Sequence, residues 1–190
     1  MKTHTLLLLC GSGLLCGISG AQAVVTSSGT ITATLVLTNG CLINGSPSQD
    51  GINFGTLNFG EHPATFSTLT TVLSGAAGGN SFSIQCTSGA PYTVQVSGST
   101  NAAPGTTVGT PGTPARYLVN TTDATQGVAY SIYSDTAFNN VIANNAAVPK
   151  ASTTAGVDNY IVYGRIVGGG NSVTVKPGTY SDIINVSVTY

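Results

Sequence analysis

Gly29-Thr30-Ile31-Thr32-Ala33-Thr34-Leu35-Val36-Leu37 is the stretch on which the reading of this chain turns. Its odd positions Ile31, Ala33, Leu35 and Leu37 are apolar, and Thr30, Thr32 and Thr34 between them are polar. Side chains on a strand alternate between faces, so the segment predicts a strand with one apolar and one wet face. The residues alone leave two readings open. The strand is either the first of the chain's own sandwich or one that completes a neighbouring molecule.

Working outward, the chain repeats this kind of pattern. Thr38-Asn39-Gly40 is a turn signal leading into Cys41, and Asn44-Gly45-Ser46-Pro47 is another. Ile52 to Gly60 is an extended segment carrying Ile52, Phe54, Leu57 and Phe59, with a parity shift beside Gly55 that marks a bulge. Phe66 to Leu73 is a threonine-rich strand candidate, and Ala76 to Asn80 is a glycine-rich turn. Phe82, Ile84 and Cys86, then Tyr92, Val94 and Val96, alternate with polar partners. Ser99 to Pro114, with Pro104-Gly105 and Pro111-Gly112-Thr113-Pro114, is read as an exposed loop.

Further strands are expected at Arg116–Asn120, at Val128–Ser134 with Val128, Tyr130 and Ile132 in register, at Asp158–Val167 and at Ser172–Lys176. Phe138 to Ala147 is a candidate for a helical turn. Pro177-Gly178 turns the chain into a last strand, Thr179 to Tyr190, with Ile184, Val186, Val188 and Tyr190 on one face. Short strands at regular spacing with turn punctuation read as an all-β sandwich. No fixed-period repeat or composition break divides it.

A length of 190 residues suits one domain with a real core. Charged residues are 6% of the chain and the net charge is −1, so no basic field exists to hold nucleic acid. Residues 1–23 read as an export signal: Lys2, the apolar run Leu6–Ile18, and Ala21-Gln22-Ala23 as the cleavage site. That run is shorter than the ~20 residues a span needs, so stable membrane insertion is not expected. Cys10 and Cys16 each follow a leucine, unlike a lipoprotein signal. The remaining cysteines, Cys41 and Cys86, most simply form one disulfide in an exported protein. The closed loop of about 45 residues corresponds to about 4 kcal/mol in the chain-entropy model.

Catalytic patterns are missing. One histidine, His62, follows the signal segment, and no Gly-x-Ser-x-Gly elbow, P-loop, EF-hand or zinc spacing occurs. Asp50, Glu61, Asp123, Asp135, Asp158 and Asp182 are scattered, which points to solvated or turn-capping roles. Tyr130, Tyr133, Tyr160 and Tyr163 flank strands. They read as strand-packing tyrosines or, less favoured in a chain without Trp, as a carbohydrate platform. No enzyme activity, cofactor or metal is expected.

The order of several short motifs resembles the spore-coat-protein-U-like domain family, which includes subunits of archaic chaperone–usher pili. The motifs are Asn39-Gly40-Cys41, Asn53-Phe54-Gly55-Thr56-Leu57-Asn58-Phe59-Gly60, Ile84-Gln85-Cys86-Thr87, Tyr92-Thr93-Val94, Tyr130 to Asp135, Tyr163-Gly164-Arg165-Ile166, and Pro177 to Asp182 leading into Ile183–Tyr190. Members commonly carry a Trp-Gly-Asp-like loop where Phe138-Asn139-Asn140 stands here. The resemblance implies an incomplete immunoglobulin-like β-sandwich completed by a donated N-terminal strand. A periplasmic chaperone fills the gap first, and the next subunit's strand replaces it at an outer-membrane usher.

On this basis residues 1–23 are the signal peptide, 24–38 the donor strand and 39–190 the pilin domain. Ile31, Ala33, Leu35 and Leu37 are the donor residues, and Ile184, Val186, Val188 and Tyr190 form the last strand of the acceptor groove. The implied product is a homopolymeric surface pilus of a Gram-negative bacterium that supports adhesion and biofilm formation. The alternatives are a tip adhesin, a coat protein of the same fold and, last, a secreted carbohydrate-binding sandwich. A tip adhesin usually carries an extra receptor-binding domain, for which about 167 mature residues leave no room.

Overall fold

A computed structural model describes residues 25–169 and 175–190. The expected signal peptide and most of the Ser172–Lys176 strand lie outside the described residues. The chain divides into two units, Met1–Val36 and Leu37–Tyr190. Residues 25–36 of the first unit carry no strand pairing, and every one of them is exposed. The alternation of Gly29–Leu37 is present in the sequence without a ladder to satisfy it.

The second unit is all-β; no helix occurs among the described residues. In chain order the strands are β1 (Cys41–Ile43), β2 (Gly55–Thr56), β3 (Leu69–Val72), β4 (Ser74–Gly75), β5 (Phe82–Cys86), β6 (Thr93–Ser99) and β7 (Thr106–Val108). There follow β8 (Arg116–Asn120), β9 (Gln126–Tyr133), β10 (Ser152–Thr154), β11 (Val157–Tyr160), β12 (Tyr163–Ile166), β13 (Tyr180–Ser181) and β14 (Ile184–Thr189). One sheet runs β1-β5-β11-β10 and another β13-β8-β9-β12-β3, with β7 parallel to β9. β14 pairs with β6, and β2 with β4. Cys41 and Cys86 are register partners across β1 and β5, and they form the expected disulfide.

The core follows from the alternation. Phe82, Ile84, Val94, Val96, Tyr130 and Ile132 are buried together, and Phe82 stacks on Tyr160 with ring centroids 5.1 Å apart. Such aromatic pairs add to area burial because of their ring geometry. β9 departs from simple alternation: all eight of its residues are buried. Val128, Tyr130 and Ile132 belong to the core cluster, while Ala129 and Ser131 are buried as well. The segment expected to be an exposed loop explains this. Pro104 packs against Gly127, Gly112 packs against Ser131, and β7 inserts the buried Val108 beside β9. Small residues on β9 make room for that covering layer.

Other expectations need correction. Thr38-Asn39-Gly40 is not a turn; Gly40 and Thr87 exchange backbone and side-chain hydrogen bonds, and the first turn comes at Asn44-Gly45. Asp158–Val167 is two strands in different sheets, broken at Ile161-Val162, and Thr179–Tyr190 is likewise two, broken at Asp182-Ile183. Phe138–Ala147 holds isolated bridges and no helical turn. The loop at Phe138 is closed by Asp135, whose carboxylate accepts the N–H groups of Ala137, Asn139 and Asn140. These bonds hold the Asp135 carboxyl below the usual range. The Phe138 ring packs edge-on against Tyr133, with the Arg165 guanidinium 5.1 Å from its centroid.

Candidate functional site

β14 is the strand about which the site is built. Its burial alternates, with Ile184, Val186 and Val188 half-buried against the core and Asn185, Ser187 and Thr189 exposed. Tyr190, expected on the same face, lies beyond the strand and is 40% exposed. One edge of β14 bonds to β6 in the register Val186↔Val96 and Val188↔Val94, with a bulge between Asn185 and Val186. No strand among the described residues pairs with the other edge. β6, by contrast, is covered on both sides, since Asn145 and Val148 donate N–H to the carbonyls of Val96 and Val94. An unpaired edge next to an apolar face leaves backbone donors and acceptors seeking partners.

Facing that edge is the irregular segment from Ile52 to Phe66. The parity shift read at Gly55 is real: Ile52, Phe54, Leu57 and Phe59 are all half-buried against the core, although the first pair and the second differ in parity. Gly55 takes φ +132° as β2 closes on the backbone of Ser74, a conformation and an approach that leave no place for a side chain.

Between the two banks lie three cavities. The first, about 790 Å³, runs along Ile183–Tyr190 opposite Ile43 and Asp50–Phe54. The second, about 370 Å³, lies between Asp182–Val186 and Ile52–Phe59, with Tyr130 and Ile132 beneath. The third, about 740 Å³, lies between Leu57–Phe66 and Val175–Tyr180. Ile52, Phe54, Ile184 and Val186 line both the first and second, and Leu57, Phe59 and Leu118 both the second and third. The three are one trough with an apolar floor.

A polar anchor stands beside this trough. Tyr130 donates its hydroxyl proton to Asp182 at 2.8 Å, and Asp182 also accepts the backbone N–H groups of Asn101 and Ile183. Burial pushes the Tyr130 phenol well above its ordinary value, and the Asp182 charge adds to the rise. Arg116, 1% exposed, donates to the Ile142 carbonyl at 3.2 Å and to Asn144 at 2.7 Å. Burial lowers its pKa while Tyr130 and Asp182 oppose the fall. The sequence reading missed this group. Its only signal was an arginine opening the apolar run Tyr117-Leu118-Val119.

The tyrosines form no platform: Tyr130, Tyr133 and Tyr160 are buried. Asp158 is neither solvated nor capping. It is 8% exposed and accepts hydrogen bonds from Tyr92, Thr153 and Lys150. His62 is exposed on its loop, with Nε2 2.7 Å from the Phe59 carbonyl. Among the described residues no cluster of three or more His, Cys, Asp or Glu could hold a metal ion.

The donor candidates belong to the other unit, apart from Leu37. Ile31 is 98%, Leu35 81% and Leu37 83% exposed, and Ala33 is exposed too. Isolated apolar residues on a surface are ordinary; Ile31, Leu35, Val36 and Leu37 are instead close together in one exposed segment.

No curated protein matches the chain. Among solved structures it is similar to a chain in the CsuC–CsuE chaperone–tip adhesion subunit pre-assembly complex from the archaic chaperone-usher Csu pili of Acinetobacter baumannii, at 21% identity and a TM-score of 0.44. The likeness covers 81% of this chain and 40% of that one. A family model for the Spore Coat Protein U domain matches residues 27–187, nearly all of the described chain, and this chain belongs to that family.

Proposed function

We propose that the chain is a structural subunit of a surface pilus that polymerises by giving its residues 24–38 to the trough of the next subunit and receiving another copy's segment in its own. The observation that carries this reading is the pairing, within one chain, of an exposed alternating segment and an apolar trough beside an unpaired strand edge. Ile31, Leu35 and Leu37 would each contribute roughly 1.5–3 kcal/mol on burial, and Ala33 less. Ordering the segment offsets part of this. New ladder bonds to β14 would add direction, as strand addition does generally.

Each copy gives a strand on one side and takes one on the other. Such a contact is heterologous and open, so it generates a filament rather than a closed ring. Before polymerising, the trough needs a temporary occupant, the role assigned to a periplasmic chaperone, and an outer-membrane usher would exchange it. Residues 1–23 would direct export, and the Cys41–Cys86 disulfide suits an oxidising compartment. Residues 39–190 would form the pilin domain, placed on the surface of a Gram-negative bacterium. Adhesion and biofilm formation would be the pilus's output.

The test is to express the chain with and without residues 24–37 beside a cognate chaperone and to follow polymers by gel and electron microscopy. Loss of polymers on truncation is expected; truncated protein that polymerises as well as the full chain would sink the proposal.

A further inference from the structure

We infer that the Cys41–Cys86 disulfide takes one bank of the trough off the path along which tension runs through the polymer. The inference rests on the donor-strand reading above and adds a mechanical role for the bridge. In a polymer joined by residues 24–38, a pull on one joint travels down the chain through Thr38 and Asn39 and meets paired structure at Gly40. There the Gly40 N–H donates to Thr87 Oγ1 at 3.0 Å, and the Thr87 N–H donates to the Gly40 carbonyl at 2.9 Å. The next residue is Cys41, joined to its register partner Cys86. The bridge therefore stands at the first residue of the first strand, where the load arrives.

From Cys41 a pull has two ways onward. The backbone leads through β1, three residues whose ladder runs to β5, and then to Ile52–Phe59. Ile43 lines the first cavity, Ile52 and Phe54 the first and second, and Leu57 and Phe59 the second and third. Peeling along this route takes apart the trough wall that faces β14. Its hydrogen bonds are individually weak in water and would open one after another. The sulfurs lead instead to the end of β5, which is laddered on one side to β1 and on the other to β11, with Phe82 and Ile84 buried.

A covalent bond outlasts a three-residue ladder, so the load follows the sulfurs. Residues 42–85 become a closed loop that a pull on the chain cannot draw straight. That loop contains the whole bank from Ile52 to Phe66, while β14 lies outside it. Without the bridge, tension on one joint would strip the wall that grips the next copy's strand, and one yielding subunit would release its neighbour. The chain-entropy account of a disulfide concerns the unfolded chain at rest and takes no notice of where the N-terminal segment leaves the fold. The load path depends on that point alone.

Single filaments of the full-length chain, assembled with its chaperone and held at constant load between a bead and a surface, test this. Half are first reduced with a phosphine, and mass after alkylation shows both thiols free. Forced opening follows an unfolding rate, so reduced filaments under load should part at least about tenfold sooner than oxidised ones, while unloaded filaments of the two kinds dissociate within about twofold of each other. The first extension of a reduced subunit should be a step of about 150 Å, the extended reach of residues 42–85, and oxidised filaments should lack that step. Equal lifetimes under load overturn the inference. So does an equal shortening at rest and under load, including filaments that dissolve on reduction without any pull, because the bridge would then be holding the fold and not diverting force. Filaments that form without residues 24–37 would instead overturn the underlying donor-strand reading.

Discussion

Tyr130 and Asp182, 52 residues apart, meet at 2.8 Å beside the trough, with the phenol donating and the carboxylate accepting. Burial keeps the phenol protonated well beyond physiological pH, so it is a permanent donor. Through the N–H of Ile183, Asp182 also holds the residue that precedes β14. Tyr130→Phe removes the donor and leaves a part-buried carboxylate one partner short. The expected cost is about 1–3 kcal/mol, read as a lower urea midpoint with an unchanged denaturant slope. An unmoved midpoint would show that Asp182 is held by its backbone donors alone.

Asp158 fastens β11 to other segments of the same chain through Thr153, Tyr92 and Lys150. The Thr153 hydrogen bond is the largest cause of a depressed carboxyl pKa, followed by that from Tyr92. A group depressed in the folded state contributes fully above its unfolded value, about 3.9, and loses that contribution as pH falls through the folded value. Asp158→Asn is therefore expected to cost about 1–3 kcal/mol at pH 7. The gap from wild type should shrink below about pH 4. Urea titrations at pH 7 and pH 3 check this, and a gap equal at both would contradict it.

How much of this was legible beforehand depends on the kind of residue. The faces of β5, β6 and β14 were readable because Phe82/Ile84, Val94/Val96 and Ile184/Val186/Val188 alternate with polar partners. The parity shift beside Gly55 was readable for the same reason, and the trough's second bank depends on it. β7 was not. Its Thr106-Thr107-Val108 lies among prolines and glycines, and only the buried outer face of β9 reveals what it covers. The breaks at Ile161-Val162 and Asp182-Ile183 were hidden because the inward positions keep their parity across them, through Tyr160, Val162 and Gly164 and through Tyr180, Asp182 and Ile184, while the ladder partner changes. Charges in the interior were the hardest. Arg116 and Asp158 look like surface residues until the groups that bond them, Ile142 and Asn144 for the one and Tyr92 for the other, are brought close.

Gly164 carries the Phe59 ring against its α-carbon. A Cβ there would stand 2.8 Å from Phe59 Cζ and 2.9 Å from Thr71 Cγ2. Phe59 lines both the second and third cavities, so the bare α-carbon sets where that ring sits. Gly164→Ala must move Phe59, Thr71 or β12, at an expected cost of about 1–3 kcal/mol. On the proposed assembly it should also slow polymer formation more than a surface change of equal stability cost. A Gly164→Ala chain with wild-type melting and assembly would show that Phe59 has free space to move into.

The alternation of the donor segment makes the final prediction one of parity. Leu35 and Val36 are neighbours of similar hydrophobicity and nearly equal exposure, 81% and 86%, so neither contributes much to the stability of the separate chain. In a strand with Ile31, Ala33, Leu35 and Leu37 turned into the trough, Val36 must face outward. Leu35→Asp would then bury a carboxylate in a trough floored by Leu57, Phe59 and Leu118, where Lys176 is already paired with Asp123, which is costlier than leaving it in water. Val36→Asp would place the same charge on the wet face beside Thr34. Leu35→Asp should abolish polymers or make them fall apart in mild detergent, while Val36→Asp assembles nearly as wild type; electron microscopy and a heat series on unreduced gels would score both. Equal damage from the two substitutions would mean that the segment does not dock as a strand, and greater damage from Val36→Asp would mean that the opposite face enters the trough.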